Sequence, residues 1–250
     1  MKTGIAAALV AALSLVAPTA AARDAANVQP VPILMYHVLA DPLPGAAYPD
    51  LFVRPAHFTA QMTWLAQRGF HAVTLDTVWR AWHGRGQLPK RPIVLSFDDG
   101  YRSHVGVALP VLRSHGWPGV LNLAWHNLGT NGLRPRGVRR LIHAGWEIDA
   151  HSLTHPDLTA VGDAQLVDEV SGSRRVIRKT FHVPVDFFCY PAGRYDARVI
   201  AAVQRAGYFG ATSTESGLAR PSDPYTLDRV RINGNDGLRG FASKLSALAG

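Results

Sequence analysis

Two short segments of the sequence concentrate the residue types that bind metals and transfer protons. Asp98 and Asp99 are adjacent and precede Gly100, and a His-Ser-Leu-Thr-His segment carries His151 and His155. Two neighbouring carboxylates repel each other unless a positive charge lies close to them. A divalent cation bound by one carboxylate and both imidazoles would relieve that repulsion and leave the other carboxylate free as a base. The spacing therefore predicts a metal-dependent hydrolytic site.

The cysteine content limits the ligands that such a site can use. The sequence has a single cysteine, Cys189, which excludes a disulfide framework and a cysteine-based zinc cluster. The ligands are then histidine and carboxylate, for which zinc is the first expectation because it binds imidazole well. Iron, nickel and cobalt suit similar ligands, so the residues leave the identity of the metal open.

Alternating strand and helix patterns must position these residues. Short apolar runs predict strands at 32–37, 71–75, 92–99, 119–124, 146–151, 186–191, 208–212 and 227–232. Helical patterns separate them at 55–68, 105–114, 136–144 and 196–206, and Asp163 can cap a further long helix. The alternation predicts one α/β domain of parallel strands, and a barrel suits its length.

The candidate residues lie at the C-terminal ends of the predicted strands. Catalytic residues of α/β barrels lie just beyond the C-terminal ends of the strands. Several predicted strands end in polar or chemically active residues, namely His37, Asp98, Asp99, His151 and the segment 190–193. Their convergence on one rim favours a catalytic site over a set of unrelated turn residues.

Composition and charge exclude several classes of protein. Hydrophobic residues make up 47% of the 250 residues and charged residues 18%, which excludes a disordered tail, a collagen and a coiled coil. The net charge is +8, but the densest basic groups, 134–140 and 174–179, are short. They predict a solvated surface, and we expect no nucleic-acid partner.

The N-terminal segment predicts export. Residues 1–22 combine a basic start at Lys2, an apolar run over 4–17 and small residues suited to a signal peptidase. The run is shorter than the roughly 20 residues that span a bilayer. We therefore expect a cleaved signal peptide, a linker at 23–30 and a catalytic domain at 31–250, in the periplasm or secreted. An uncleaved membrane anchor is the alternative; after cleavage no stable membrane insertion is expected.

The two chemical motifs resemble those of a known family. Ser96–Gly100 (SFDDG) and His151–His155 (HSLTH) are similar to the first two motifs of the polysaccharide deacetylases, carbohydrate esterase family four. The resemblance spans about residues 30–232 and implies a distorted (β/α) barrel of about seven parallel strands. It also implies that Asp98 is the catalytic base and that the metal ligands are Asp99, His151 and His155.

The third motif of that family departs from its usual Arg-x-Pro-Tyr-Gly form. Here Cys189 stands in the place of the arginine and Ala192 in the place of the tyrosine. Ala192 can still supply a backbone N–H to an oxyanion hole, because that group is main chain. The residue that orients Asp98 is left open between Arg194, Arg229 and Arg231.

The family's last motif, Leu-x-His, is absent, since no histidine follows His182. The chain instead begins its first strand with Leu34–His37, which resembles a rearranged branch that includes poly-β-1,6-N-acetylglucosamine deacetylases of biofilm systems. That resemblance implies that His37 is the general acid. The residues expected to bind substrate are Tyr190, Trp125 and Arg194.

The predicted function is removal of N-acetyl groups from an N-acetylglucosamine-containing polysaccharide by an exported hydrolase. Two alternatives stay open at this stage. One is a deacetylase of a lipid-linked sugar or an acetyl ester. The other is a carbohydrate-binding protein on a degenerate barrel, whose sugar-stacking aromatics would be Trp79, Trp82, Trp117, Trp125 and Tyr190.

Overall fold

A single parallel sheet forms the centre of the molecule. The computed structural model describes residues 29–129 and 132–247, so the predicted signal peptide and most of the predicted linker lie outside the described residues. The strands within these ranges are β1 (Ile33–Tyr36), β2 (His71–Val73), β3 (Pro92–Asp98), β4 (Val120–Leu123), β5 (Glu147–Ala150), β6 (Phe187–Cys189), β7 (Gly210–Thr212) and β8 (Val230–Arg231).

The sheet curls into a distorted barrel. Seven strands follow the order β7-β6-β5-β4-β3-β1-β8, and β2 pairs with the first residues of β3. The segment 227–231 closes the curl, because Leu227 bridges to Thr212 in β7 while Arg231 in β8 pairs with Met35 in β1. The predicted distorted (β/α) barrel of about seven parallel strands is confirmed.

Helices cover the outside of the sheet. Within the described residues they are α1 (Pro55–Gln67), α2 (Leu75–Trp82), α3 (Leu109–Ser114), α4 (Pro135–His143), α5 (Asp163–Val167), α6 (Ser173–Phe181), α7 (Ala197–Arg205) and α8 (Gly237–Ala247). A π-helical turn, His104–Ala108, leads into α3, and another, Asp168–Gly172, separates α5 from α6. None of the helices in 29–129 or 132–247 is long and apolar enough to cross a bilayer.

The two-residue period of the strands decides which side chains enter the barrel. In β3, Leu95 and Phe97 pack in the layer between sheet and helices, whereas Val94 belongs to the interior cluster. Since side chains alternate along a strand, Ser96 and Asp98 share the interior side with Val94. The same alternation in the neighbouring strands places Met35, Asn122, Asp149 and Cys189 on the interior side.

Two predicted element boundaries were wrong for local reasons. The predicted strand at 71–75 ends at Val73, because the Thr74 side chain accepts a hydrogen bond from the Thr77 N–H and caps α2. The helix α2, which was not predicted, packs into the interior cluster at the N-terminal ends of the strands. Asp163 does not cap its helix; Gly162 takes that position, and the Asp163 carboxylate pairs with Arg198.

Candidate active site

A cleft of about 780 Å³ lies at the C-terminal ends of the strands. Residues after β1, β3, β5 and β6 converge there, as expected for a parallel barrel. The cleft is lined by eight of the nine predicted site residues, namely His37, Asp98, Asp99, His151, His155, Tyr190, Ala192 and Arg194. The ninth, Trp125, packs beside the hydrophobic core and is not part of this lining.

Asp99, His151 and His155 form a compact set of metal-binding atoms. Asp99 Oδ1 lies 3.5 Å from His151 Nε2 and 3.6 Å from His155 Nε2, and the two Nε2 atoms are 3.1 Å apart. Metal–ligand bonds of about 2.1 Å in a tetrahedral site place ligand atoms about 3.4 Å from each other. The three atoms are therefore spaced as a divalent cation requires, and they can hold one.

A hydrogen bond to His151 and the burial of His155 keep both imidazoles in the form that binds a cation. His151 Nδ1 lies 2.7 Å from the Cys189 carbonyl oxygen, which only accepts, so Nδ1 carries the proton and Nε2 presents its lone pair to Asp99. Burial and the neighbouring His151 lower the pKa of His155, which favours its neutral form. Neutral imidazoles are the form that coordinates a metal.

The His-Ser-Leu-Thr-His loop owes its shape to two side chains. Ser152 Oγ accepts a hydrogen bond from the His155 N–H at 2.9 Å, which closes a turn and brings the second histidine back toward the first. The buried Glu169 carboxylate accepts from the N–H groups of Leu153 and Thr154 at 2.8 and 2.9 Å and from the Thr154 hydroxyl at 2.5 Å. The loop is thus fastened to the π-helical turn between α5 and α6.

Backbone strain is concentrated at this rim. Six non-glycine residues within 29–129 and 132–247 have positive φ angles, and four of them lie at the site: Asp99 (74°), Ser152 (64°), His155 (60°) and Ala192 (52°). Left-handed backbone is costly for residues with a Cβ and persists where surrounding contacts over-determine it. Its concentration here agrees with a functional role for the loops.

Asp98 is buried among donors. Its Oδ1 accepts hydrogen bonds from Asn122 Nδ2 at 2.7 Å and from Arg229 Nη1 at 2.8 Å. Burial opposes ionisation, but the charges of Arg229, His37 and His151 outweigh it and hold the pKa of Asp98 well below its usual value. Asp98 is therefore a carboxylate at any physiological pH.

Of the three arginines left open by the sequence, Arg229 is the one that contacts Asp98. It is 1% exposed and is fixed by bonds from Nε to the Ser213 carbonyl oxygen at 2.7 Å and from Nη1 to Ser96 Oγ at 3.3 Å. Cys189 Sγ lies 3.9 Å from Asp98 Oδ2, the carboxylate oxygen that Arg229 does not bind. Burial raises the pKa of the Cys189 thiol, so it stays protonated.

His37 flanks the same carboxylate. Its Nε2 lies 3.8 Å from Asp98 Oδ2. The buried His104 donates a hydrogen bond from Nε2 to the His37 carbonyl oxygen at 2.7 Å and so fixes the backbone after β1. Burial lowers the pKa of His37, although the charges of Asp98 and Asp99 oppose this. An imidazole and a carboxylate thus stand side by side at one wall of the cleft.

The residues predicted to bind substrate occupy three different environments. Tyr190 directly follows β6, and its buried ring packs with Phe188 in the outer hydrophobic layer. Its hydroxyl donates to the Tyr225 carbonyl oxygen at 2.9 Å. Arg194 is exposed at the cleft and pairs with Asp157 at 2.5 Å. Tyr48, which the sequence reading missed, lines the cleft and is 72% exposed.

Two other contributors were missed, and their sequence signals differ. Asn122 is a polar residue inside the apolar run of β4, which marks it as a residue that needs a partner. Glu169 carries no comparable signal, because it lies among polar residues of a helical pattern. Only its contact with the loop at 152–154 reveals its role.

Comparison with known proteins agrees with this geometry. The sequence profile of the polysaccharide deacetylase family matches residues 85–211. YxkH of Bacillus subtilis, assigned to the polysaccharide deacetylases, is 27% identical over 205 residues, which are 81% of this chain and 71% of that protein. The poly-β-1,6-N-acetyl-D-glucosamine N-deacetylase of Escherichia coli K12 is 25% identical over 77% of this chain, which matches 35% of that longer protein.

The fold is shared with solved structures. The Streptococcus pyogenes deacetylase PplD, determined in complex with acetate, superposes with a TM-score of 0.80 at 24% identity, over 86% of this chain and 98% of that one. Together with the profile match over half of the chain and the convergence of Asp98, Asp99, His151 and His155, this establishes the relationship. The chain is a member of the polysaccharide deacetylase family.

Proposed function

We propose that this chain is a metal-dependent hydrolase that removes N-acetyl groups from N-acetylglucosamine units of a polysaccharide. The observation that carries the proposal is the pair of Asp98 and His37, 3.8 Å apart, in the cleft that also holds the Asp99, His151 and His155 donor set. Amide hydrolysis needs a base at the attacking water and an acid at the leaving nitrogen. These two side chains supply both within reach of one acetamido group.

Each of the chain's own residues has a separate task in this reaction. A divalent cation held by Asp99, His151 and His155 would polarise the acetyl carbonyl and make water more acidic. Asp98 accepts the proton of the attacking water, with its Oδ1 held by Asn122 and Arg229. The Ala192 N–H donates to the carbonyl oxygen as negative charge develops there. His37 protonates the leaving nitrogen, which releases acetate and a free amine on the sugar.

Two features favour a polymer as substrate. The cleft has a volume of about 780 Å³, and the exposed ring of Tyr48 in its lining offers a surface on which a sugar ring can stack. The Escherichia coli relative acts, by its name, on poly-β-1,6-N-acetyl-D-glucosamine. We therefore place this polymer ahead of chitin oligomers, peptidoglycan and lipid-linked sugars.

The proposal includes export. The basic start, apolar run and small residues of 1–22 are typical of a signal peptide, and such polymers lie outside the cytoplasm. The catalytic domain would then comprise residues 31–250 and act in the periplasm or outside the cell. Size comparison of the exported and the unprocessed protein, with N-terminal sequencing, tests the cleavage.

The decisive experiment measures acetate released from β-1,4- and β-1,6-linked N-acetylglucosamine oligomers. We expect release that a chelator abolishes and that added zinc restores, and the preferred linkage identifies the polymer. Asp98→Asn should lower kcat by at least about 10³-fold while it leaves the bound metal stoichiometry unchanged. The matched control is Asp163→Asn, an exposed carboxylate on α5 that pairs only with Arg198.

Other outcomes would select the alternatives. Release from acetyl esters or lipid-linked sugars alone would replace the polysaccharide substrate. Full activity in Asp98→Asn, or in protein shown to be free of metal, would refute the mechanism. Absence of both turnover and bound metal would favour a carbohydrate-binding protein.

A further inference from the structure

Three arginines line the catalytic cleft, and their partners differ. Arg229 pairs with Asp98 at 2.8 Å and Arg194 with Asp157 at 2.5 Å. No carboxylate within the described ranges, 29–129 and 132–247, lies at ion-pair distance from the Arg231 guanidinium. Arg231 is thus a cation of the cleft whose charge the protein leaves unbalanced.

The position of Arg231 is set by β8. It pairs in register with Met35, two residues before His37, and Val230 and Ile232 on either side of it pack into the outer hydrophobic layer. The alternation of the strand therefore directs Arg231 to the cleft side. Its positive charge acts on His37, which places it at the wall where the leaving nitrogen is protonated.

Two acidic side chains that could balance Arg231 are already engaged, and the exposed Asp50 of the cleft lining is not among the charges that shift the pKa of Arg231. The Asp236 carboxylate binds Lys244 Nζ at 2.6 Å and the Asn233 N–H at 2.7 Å, and Lys244 also donates to the Arg231 carbonyl oxygen. Asp98, whose charge also acts on Arg231, is held by Arg229.

This arrangement has an energetic cost. Arg231 is partly buried and stands beside a second, fully buried guanidinium, that of Arg229. Burial and the charge of Arg229 lower the pKa of Arg231, so the cleft disfavours the charged form that it nevertheless contains. Burying a charge without a partner is unfavourable, and an incoming anion would offset the cost.

We propose that Arg231 binds an anionic group, a carboxylate or a phosphate, that the polysaccharide carries next to the sugar being deacetylated. The inference rests on the proposed N-deacetylase activity, but it favours an acidic glycan over the neutral poly-β-1,6-N-acetylglucosamine that the comparison with the relatives places first. The acetyl group would lie toward Ala192 and the metal-binding set, whereas Arg231 lies on the His37 side, where the sugar remains. A planar guanidinium can bind either anion with two parallel hydrogen bonds.

The test compares matched oligomers that differ in a single acidic group. The first is a neutral N-acetylglucosamine oligomer, the second carries a carboxylate on the neighbouring unit, as in muramic acid, and the third carries a phosphate there. We expect the wild type to prefer one acidic oligomer in kcat/KM. Arg231→Gln should lower the acidic-to-neutral ratio of kcat/KM about 10- to 100-fold, the range for a charge-assisted hydrogen bond, and Arg231→Lys should retain part of it. Arg205→Gln, an exposed arginine on α7, is the matched control.

A binding measurement separates this inference from the function on which it rests. Calorimetric titration of the Asp98→Asn variant with the same oligomers should show tighter binding of the acidic one, reduced when Arg231→Gln is added. Equal kcat/KM for acidic and neutral oligomers, or an equal loss on both in Arg231→Gln, would overturn the subsite. So would a change only in product inhibition by acetate. Failure of every oligomer to release acetate would instead count against the proposed deacetylase activity, while the titration would still decide the subsite.

Discussion

Arg229 donates a hydrogen bond to Asp98 across a sequence separation of 131 residues, at 2.8 Å and in a fully buried position. In the motif that the segment 189–193 resembles, an arginine stands at the position of Cys189. Here Arg229, directly before β8, supplies a positive charge beside Asp98.

We expect Arg229→Met to lower both activity and stability. Removing the guanidinium leaves Asp98 buried without a counter-charge, which destabilises a fold by about 3–5 kcal/mol. The loss of kcat should be at least about 10²-fold, and Arg229→Lys should recover part of both. Urea unfolding and acetate release at a temperature where all variants are folded measure the two effects. Unchanged kcat in folded Arg229→Met would show that Asp98 does not depend on this contact.

His37→Ala should affect substrates according to their leaving group. An amine is expelled poorly unless it is protonated, so kcat on an N-acetylated oligomer should fall about 10²- to 10⁴-fold. An activated aryl acetate, whose leaving group needs no proton, should lose much less. Comparison of the two substrates on one enzyme preparation provides its own control for folding. An equal loss on both would assign His37 a structural role.

Glu169→Gln should weaken metal binding although residue 169 touches no proposed ligand. The substitution replaces a carboxylate that accepts three hydrogen bonds from Leu153 and Thr154 by an amide with one accepting oxygen. Changes to groups that orient ligands commonly reduce metal affinity about 10- to 100-fold. Competition with a calibrated chelator measures the affinity, and Asp168→Asn, the exposed neighbour, should leave it unchanged.

An acid pair on β5, the buried Asp149 and the partly buried Glu147, should make the fold less stable as the pH rises. Burial raises the pKa of Glu147 to about 7, and burial together with the Glu147 charge raises the pKa of Asp149 well above its usual value. The two carboxyl groups act on each other, and their mutual repulsion favours a state in which one of them keeps its proton. A carboxyl group with a raised pKa contributes stability that is present below the usual value of 4.5 and is lost as the pH rises through about 7.

The Tm should therefore fall between about pH 5 and pH 8. The free energy of unfolding should fall by up to about 1.4 kcal/mol per pH unit for one such group. Glu147→Gln should flatten this dependence, because the amide cannot ionise. The exposed Glu215→Gln serves as control. A slope that is identical in all three proteins would exclude the pair as its source.

Short-range patterns carried much of the prediction. The alternation of apolar runs and helical patterns predicted the parallel barrel, because the spacing of apolar residues within each strand or helix reflects which of its faces is buried. The adjacency of Asp98 and Asp99 and the His-Ser-Leu-Thr-His segment predicted the residues that line the cleft, since a strand end and a tight turn determine their directions locally. The error at 71–75 was of the same local kind, as Thr74 serves a strand pattern and a helix cap equally well.

The partners of those residues were decided by the tertiary structure. Arg229 rather than Arg194 or Arg231 reaches Asp98 because closure of the barrel brings β8 beside β1 and directs that side chain inward. The ring of Tyr190 packs in the outer hydrophobic layer because the residue directly follows Cys189, whose side chain faces the interior. Glu169 reaches the histidine loop only because the π-helical turn packs there. The amino-acid sequence by itself determined which groups stand at the rim, since that depends on neighbours along the chain. Which charges balance them depends on contacts between distant segments, and only the folded barrel determines those.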